Sequence, residues 1–223
     1  EDSTIQAVSF VGSTPVAEAI YKKASENGKR CQALGGAKNH AIVMPDADLD
    51  NVVNALMGAA YGSCGERCMA ISVVLAVGDE VGDALRVRLS QQVETLKVGA
   101  GCDNSNDMGP LISEAHYQTV ANFIESGVSQ EADLVCDGRG LSVEGYENGY
   151  FLGATLFDHV KPHMDIYQKE IFGPVLVMLR VPDMQSAVNL INEHEYGNGT
   201  CLFTRDGEAA RYFIDQVQVG MVG

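Results

Sequence analysis

Ile5-Gln6-Ala7-Val8-Ser9-Phe10-Val11-Gly12-Ser13-Thr14-Pro15 is the stretch from which the fold is read. Apolar side chains crowd residues 5–11, the pattern of a buried strand. Gly12 ends the run, Ser13 or Thr14 can cap a helix, and Pro15 suits its first turn. A strand that turns at once into a helix is the repeating half of an α/β fold. The helix is expected to run to Asn27-Gly28, where glycine provides a stop.

Working outward, strands are expected at 30–34 and 40–44. Asp46 or Asp48 can cap a helix carrying Val52, Val53, Leu56 and Ala60. A strand at 71–77 and a helix at 80–96 follow. Ser113 can cap a helix through Val120, Phe123 and Ile124, and Leu134-Val135 is a short strand. The glycine-rich stretch 137–150 reads as a surface loop or hairpin. Strands at 174–181 and 200–204 alternate with helices at 183–194 and 207–217. This alternation predicts an α/β architecture, a parallel-rich sheet flanked by helices.

The 223 residues are 46% hydrophobic and 20% charged, which fits a globular chain. A formal charge of -15 argues against nucleic-acid and anionic-membrane partners, since phosphates attract basic surfaces. No apolar run reaches the length of a membrane span. Residues 1–6 lack the basic and apolar regions of a signal peptide. Six cysteines are spread without a dense framework, so reduced thiols in a cytoplasmic setting are expected. Cys64 and Cys68 are four apart, but no further pair completes a zinc set. His159 and His163 share that spacing with Pro162 between them, which disfavours a helix presenting both. No metal site is expected.

Three stretches carry chemistry. Gly65-Glu66-Arg67-Cys68-Met69-Ala70 sets a thiol beside a cation, and a neighbouring cation favours thiolate. A thiolate is a strong nucleophile for a carbonyl; a buried, inert cysteine is the plainer reading. The junction Gly12-Ser13-Thr14 offers N–H groups and a helix dipole to a phosphate, without the full Gly-x-Gly-x-x-Gly pattern. Leu34-Gly35-Gly36 is a second tight turn. In Lys169-Glu170-Ile171-Phe172-Gly173-Pro174 a carboxylate could accept from ribose hydroxyls, or stand solvated in a loop.

In order along the chain, these pieces resemble the aldehyde dehydrogenase superfamily. The resemblance rests on Phe10-Val11-Gly12-Ser13-Thr14, Leu34-Gly35-Gly36-Ala37-Lys38 and Pro45-Asp46-Ala47-Asp48-Leu49-Asp50. It continues through Gly65-Glu66-Arg67-Cys68, Met108-Gly109-Pro110-Leu111-Ile112, Glu170-Ile171-Phe172-Gly173-Pro174 and Tyr196-Gly197-Asn198-Gly199-Thr200. Within the family, Ala37-Lys38-Asn39-His40, Arg67 and Gly145-Tyr146-Glu147-Asn148-Gly149 are similar to the CoA-acylating branch that acts on malonate and methylmalonate semialdehydes.

The resemblance implies that residues 1–44 are the last part of an NAD-binding domain and 45–223 most of a catalytic domain. It implies Cys68 as nucleophile, Ser13 on the cofactor phosphates, Gly35 near the nicotinamide, and Glu170 on the nicotinamide ribose with Phe172 close by. NAD is the implied cofactor and coenzyme A the co-substrate. Hydrolytic members carry a water-activating glutamate at the head of the glycine-rich turn; Leu34-Gly35-Gly36 opens without a carboxylate. A CoA thiol needs less help than water to resolve a thioester. Arg67 is the candidate partner for a substrate carboxylate, or else a structural cation. The implied reaction oxidises the semialdehyde through a Cys68 thioester, with decarboxylation and acyl transfer to CoA. A hydrolytic enzyme for another aldehyde is the alternative. Both ends read as cut within structure, so a segment of a longer, homo-oligomeric enzyme is expected, with its oxyanion-hole asparagine upstream. The segment alone is expected to bind NAD poorly and turn over little.

Overall fold

In the computed structural model, which describes residues 1–223, Ala7–Val11 forms strand β1 and Arg30–Leu34 forms β2. They pair in parallel, with Val11 opposite Leu34. Helix α1, Thr14–Glu26, is the crossover between them, with Ser13 at its N-cap and Pro15 in its first turn. Its stop is Gly28, whose φ of 65° places it in the left-handed region that glycine enters without strain. These elements make up a compact unit, Glu1–Ala37. The expected buried strand is corrected in one respect. β1 begins at residue 7, and its side chains alternate between exposed and half-buried, because a two-stranded sheet under one helix covers little of either face.

The second unit, Lys38–Gly223, holds a seven-stranded sheet. Its strands are β3 (Asn39–Val43), β4 (Ile71–Val77), β5 (Asp133–Cys136), β6 (Thr155–Asp158), β7 (Val175–Val181), β8 (Gly199–Phe203) and β9 (Met221–Val222). The order is β5-β6-β7-β4-β3-β8-β9, and every pair is parallel except β5–β6. The fold is therefore the expected α/β type with a parallel-rich sheet. β4 and β7 are near-continuous apolar runs, and β3 opens on the buried polar Asn39 and His40 before its apolar residues 41–43; most side chains of all three are buried, as central parallel strands require.

Helices α2 (Leu49–Leu56), α3 (Asp79–Val93), α4 (Glu114–Ser129), α5 (Asp165–Gln168), α6 (Met184–Glu193) and α7 (Gly207–Gln216) connect the strands. Asp48, Ser113 and Asp183 cap α2, α4 and α6 by accepting from the N–H groups of Asn51, His116 and Ser186. No helix is long and apolar enough to cross a membrane. The division between the units falls after Ala37, ahead of the expected boundary at 44/45. β3 hydrogen-bonds on both sides within the larger sheet, and that pairing fixes its membership.

Candidate active site

The loop before Cys68 is built from tight turns. After α2 the backbone widens into a π-helical turn, Met57–Tyr61, then tightens through a 3-10 turn, Gly62–Gly65. Tyr61 is buried and donates its hydroxyl to the carbonyl of Thr155 at 3.1 Å. Ser63, Cys64 and Gly65 then have φ values of 49°, 57° and 68°. Three successive left-handed residues are costly for L-amino acids, and only Gly65 avoids the Cβ penalty. Such strain persists where the surroundings over-determine it. Here the buried Cys64 thiol donates to the carbonyl of Gly109 at 2.9 Å. Gly65 lies so close to Gly173 that a Cβ on it would sit 2.3 Å from the Gly173 carbonyl oxygen. Three sequence motifs, around residues 65–68, 108–112 and 170–174, thus meet at this loop.

Cys68 is exposed on the turn that follows. Its carbonyl accepts from the side-chain amides of Asn39 and Asn198, each at 2.9 Å. Its own N–H donates to no acceptor in the chain, which leaves a backbone donor beside the thiol. Cys64 differs in kind: burial pushes its thiol up to about 11. Of the two cysteines in the motif, only Cys68 is exposed. Arg67 is exposed, but its Nη2 donates to the carbonyls of Gly58 and Ala59, both at 2.8 Å. The guanidinium thereby braces two carbonyls of the π-helical turn, that of Gly58 also accepting from the Gly62 N–H, while Nε and Nη1 have no acceptor in the chain.

Glu66 ties the turn to α4. Its Oε1 accepts from the Ile112 N–H at 3.2 Å and lies 3.5 Å from His116 Nε2. His116 Nε2 is also 2.6 Å from the Phe172 carbonyl. A carbonyl only accepts, so Nε2 carries the proton. Phe172 has a φ of 56° and an exposed ring, and Glu170 is partly buried two residues earlier.

Lys38 stands next to this segment. It is fully buried, and Nζ donates to the carbonyls of Ile166 and Lys169, each at 2.8 Å. Burial pushes the ammonium down to about 7, against the opposing pull of the Glu170 charge. A neutral amine has two N–H bonds, which matches the two carbonyls. The linkage follows in sign. An unfolded lysine titrates near 10.4, so between about 7 and 10 the unfolded chain holds a proton that the folded chain lacks. Stability supplied by this group rises with pH across that window, by up to about 1.4 kcal/mol per pH unit, and is lost as pH falls through 7. Denaturant titrations should therefore show the wild type gaining on Lys38→Met between pH 7 and 9.5; parallel curves would contradict the burial effect.

In the smaller unit, Ser13 is exposed at the N-cap of α1 and its hydroxyl makes no capping bond. The N–H groups of Ser13 and Thr14 have no acceptor in the chain. Gly35 packs on Thr14, where a Cβ would lie 2.8 Å from Oγ1, and the Gly36 N–H donates to the same hydroxyl at 3.0 Å. The sequence-derived residues therefore fall into two sets. Ser13 and Gly35 share the helix start in one unit; Arg67, Cys68, Glu170 and Phe172 belong to joined segments in the other. Asn39, Asn198, Glu66 and His116 were not singled out from sequence as site residues.

The aldehyde dehydrogenase family profile matches residues 1–223. The chain belongs to the aldehyde dehydrogenase family. Among curated family members, the malonate-semialdehyde dehydrogenase of Pseudomonas aeruginosa is 64% identical over 98% of this chain and 44% of its own length. Among solved structures, a methylmalonate-semialdehyde dehydrogenase from Oceanimonas doudoroffii superposes with a TM-score of 0.98 at 63% identity, over 100% of this chain and 46% of that one. A protein from Sinorhizobium meliloti 1021, assigned as a methylmalonate-semialdehyde dehydrogenase and complexed with NAD, gives 0.96 at 54% identity, over 97% and 44%. The chain thus spans a little under half the length of the relatives it matches.

Proposed function

We propose that this chain carries the catalytic thiol of an NAD-dependent, CoA-acylating dehydrogenase for malonate or methylmalonate semialdehyde. The observation that carries the reading is the contrast within residues 62–68. Cys64 is buried and hydrogen-bonded, whereas Cys68 is exposed with a free N–H beside it. The close relatives named for these semialdehydes support the substrate class.

Cys68 Sγ adds to the aldehyde carbon, and the carbonyl electron pair moves to oxygen. The Cys68 N–H is a donor placed to meet that oxyanion. NAD, when bound, supplies the hydride acceptor that raises the adduct to the acyl level, leaving a thioester on Sγ. The β-carboxyl group leaves as CO₂ with its bonding electrons passing to the α-carbon, which takes a proton. A CoA thiolate then displaces Sγ, giving acetyl-CoA or propionyl-CoA.

The residues fit the cofactor. In the smaller unit, the uncommitted Ser13 hydroxyl and the free N–H groups at the start of α1 suit a phosphate, and Gly35 is proposed near the nicotinamide. In the larger unit, Glu170 is proposed on the nicotinamide ribose with Phe172 beside it. The NAD complex of the Sinorhizobium meliloti relative supports NAD as the cofactor. We assign the smaller unit to the end of the NAD-binding domain and the larger to the catalytic domain, of a cytoplasmic homo-oligomer.

Product analysis tests the reading on the full-length enzyme. Malonate semialdehyde with NAD and CoA should give acetyl-CoA, CO₂ and NADH in equal amounts; free acid formed at full rate without CoA would overturn the acyl-transfer step. Arg67 is assigned to the substrate carboxylate through Nε and Nη1. Arg67→Ala should raise KM for malonate semialdehyde about 10- to 100-fold, the scale of a lost charged hydrogen bond. It should change propanal turnover much less. Equal loss on both substrates would leave Arg67 only its role of capping Gly58 and Ala59.

A further inference from the structure

We propose that Asn39 and Asn198 are positioning residues that hold the Cys68 peptide and thereby favour its thiolate, an inference that rests on Cys68 being the nucleophile. The two side chains reach the same carbonyl oxygen from distant parts of the larger unit, one from the first residue of β3 and one from the loop before β8. Both Nδ2 atoms stand 2.9 Å from it, so both lone pairs of the Cys68 carbonyl are taken by amide donors.

The strand register explains why side chains do this work. Asn39 pairs with Ile71 and His40 with Val73, so one residue of β4 is extra at this point and the ladder slips. Residues 68–70 lie beyond its regular bonds. Asn39 substitutes for them: Nδ2 bonds the carbonyls of both Cys68 and Ala70, and Oδ1 accepts from the Gly199 N–H at 2.9 Å. Both N–H donors and the oxygen of this amide are engaged, and the residue is 2% exposed. Asn198 adds the second direction and also approaches Met69 Sδ at 3.0 Å.

Two consequences follow for the thiol. Fixing the peptide plane after Cys68 limits its backbone torsions, and so the direction of Sγ and of the free N–H. The second effect is electrostatic. A thiolate is repelled by the negative end of its own carbonyl, and two N–H dipoles aimed at that oxygen offset the repulsion. Donors that reduce local negative potential favour the charged form of a thiol. An amide suits the task because it donates without carrying charge.

The test uses the full-length enzyme with Asn198→Ala, Asn198→Asp and Asn39→Ala. Iodoacetamide labelling of Cys68 is followed by mass spectrometry from pH 5.5 to 10, alongside kcat, KM for NAD and the thermal midpoint. For Asn198→Ala the labelling midpoint should move to higher pH by about 0.5 or more, and both labelling at pH 7 and kcat should fall roughly 3- to 10-fold, the scale of one hydrogen bond. KM for NAD should stay within about twofold and the thermal midpoint within a few degrees. Asn198→Asp should move the midpoint further, because a carboxylate replaces the donor. Asn39→Ala should show the same displacement in whatever fraction remains folded. A labelling profile for Asn198→Ala that superimposes on the wild type would overturn the proposal, as would a loss of kcat with no change in midpoint. If labelling of wild-type Cys68 leaves activity intact, the nucleophile assignment itself fails, a result distinct from either.

Discussion

Cys68→Ala is expected to remove semialdehyde oxidation almost entirely, with kcat falling by at least about 10⁴-fold, the scale seen when a covalent nucleophile is deleted. The size follows from chemistry that no neighbour can take over. Cys64 is near in sequence, but its thiol is buried, pushed up to about 11 and bonded to the Gly109 carbonyl. Arg67 cannot attack a carbonyl. Substrate binding should survive, because Cys68 is exposed and its side chain packs no core. The companion variant Cys64→Ala should keep kcat within about tenfold and cost about 1–2 kcal/mol of stability, from a lost hydrogen bond and a small cavity. Steady-state kinetics and chemical denaturation of the two variants check the pair. Substantial turnover by Cys68→Ala would end the assignment.

The helix starts were legible because each has a local chemical cause. Asp48 and Ser113 cap their helices as read and Pro15 presets φ in the first turn of α1, whereas Ser13 takes the N-cap position without a capping bond. Strands with long apolar runs were legible for the same reason. β6 was missed: it is four residues long, follows a glycine-rich loop, and is defined by its neighbours β5 and β7 rather than by any pattern of its own. The π-helical turn Met57–Tyr61 and the left-handed Ser63 and Cys64 were also invisible, since neither residue type announces positive φ. Cys68 could be read as a thiol beside a cation, but its exposure and the burial of Cys64 are tertiary facts. Asn39 and Asn198 lie within two of the motifs that carry the family resemblance, but nothing local marks either as a partner of Cys68. Their roles exist only because residues 29 and 130 positions away fold against the same carbonyl. Arg67 shows the converse: it was read for charge, and the structure adds a second task, capping two main-chain carbonyls.

Gly65→Ala should be the most damaging substitution in the loop outside Cys68. The new Cβ would lie 2.3 Å from the carbonyl oxygen of Gly173, 2.8 Å from its carbon and 3.0 Å from the carbonyl oxygen of Ala60. All three are main-chain atoms, so no side chain can swing aside. Alanine also resists the φ of 68° at this position, by about 1 kcal/mol. Relief of the contact requires the loop and the segment around Gly173 to part by about 1 Å. That movement acts on both functional segments, because Gly65 precedes Cys68 by three residues and Gly173 follows Phe172 directly. A misplacement of this size costs about 100-fold in rate when reacting groups must be aligned. Expected results are a kcat at least about 100-fold down and a stability loss of about 2–4 kcal/mol, combining overpacking with backbone strain. Gly58→Ala is the internal control. It lies in the same loop with no atom within 4 Å of the added Cβ and no positive φ, so it should leave kcat within about threefold. The distinction is read from kcat, denaturant midpoints and iodoacetamide labelling of Cys68 in the two variants. A Gly65→Ala enzyme as fast as Gly58→Ala would show that the Gly65–Gly173 contact does not hold the nucleophile in place.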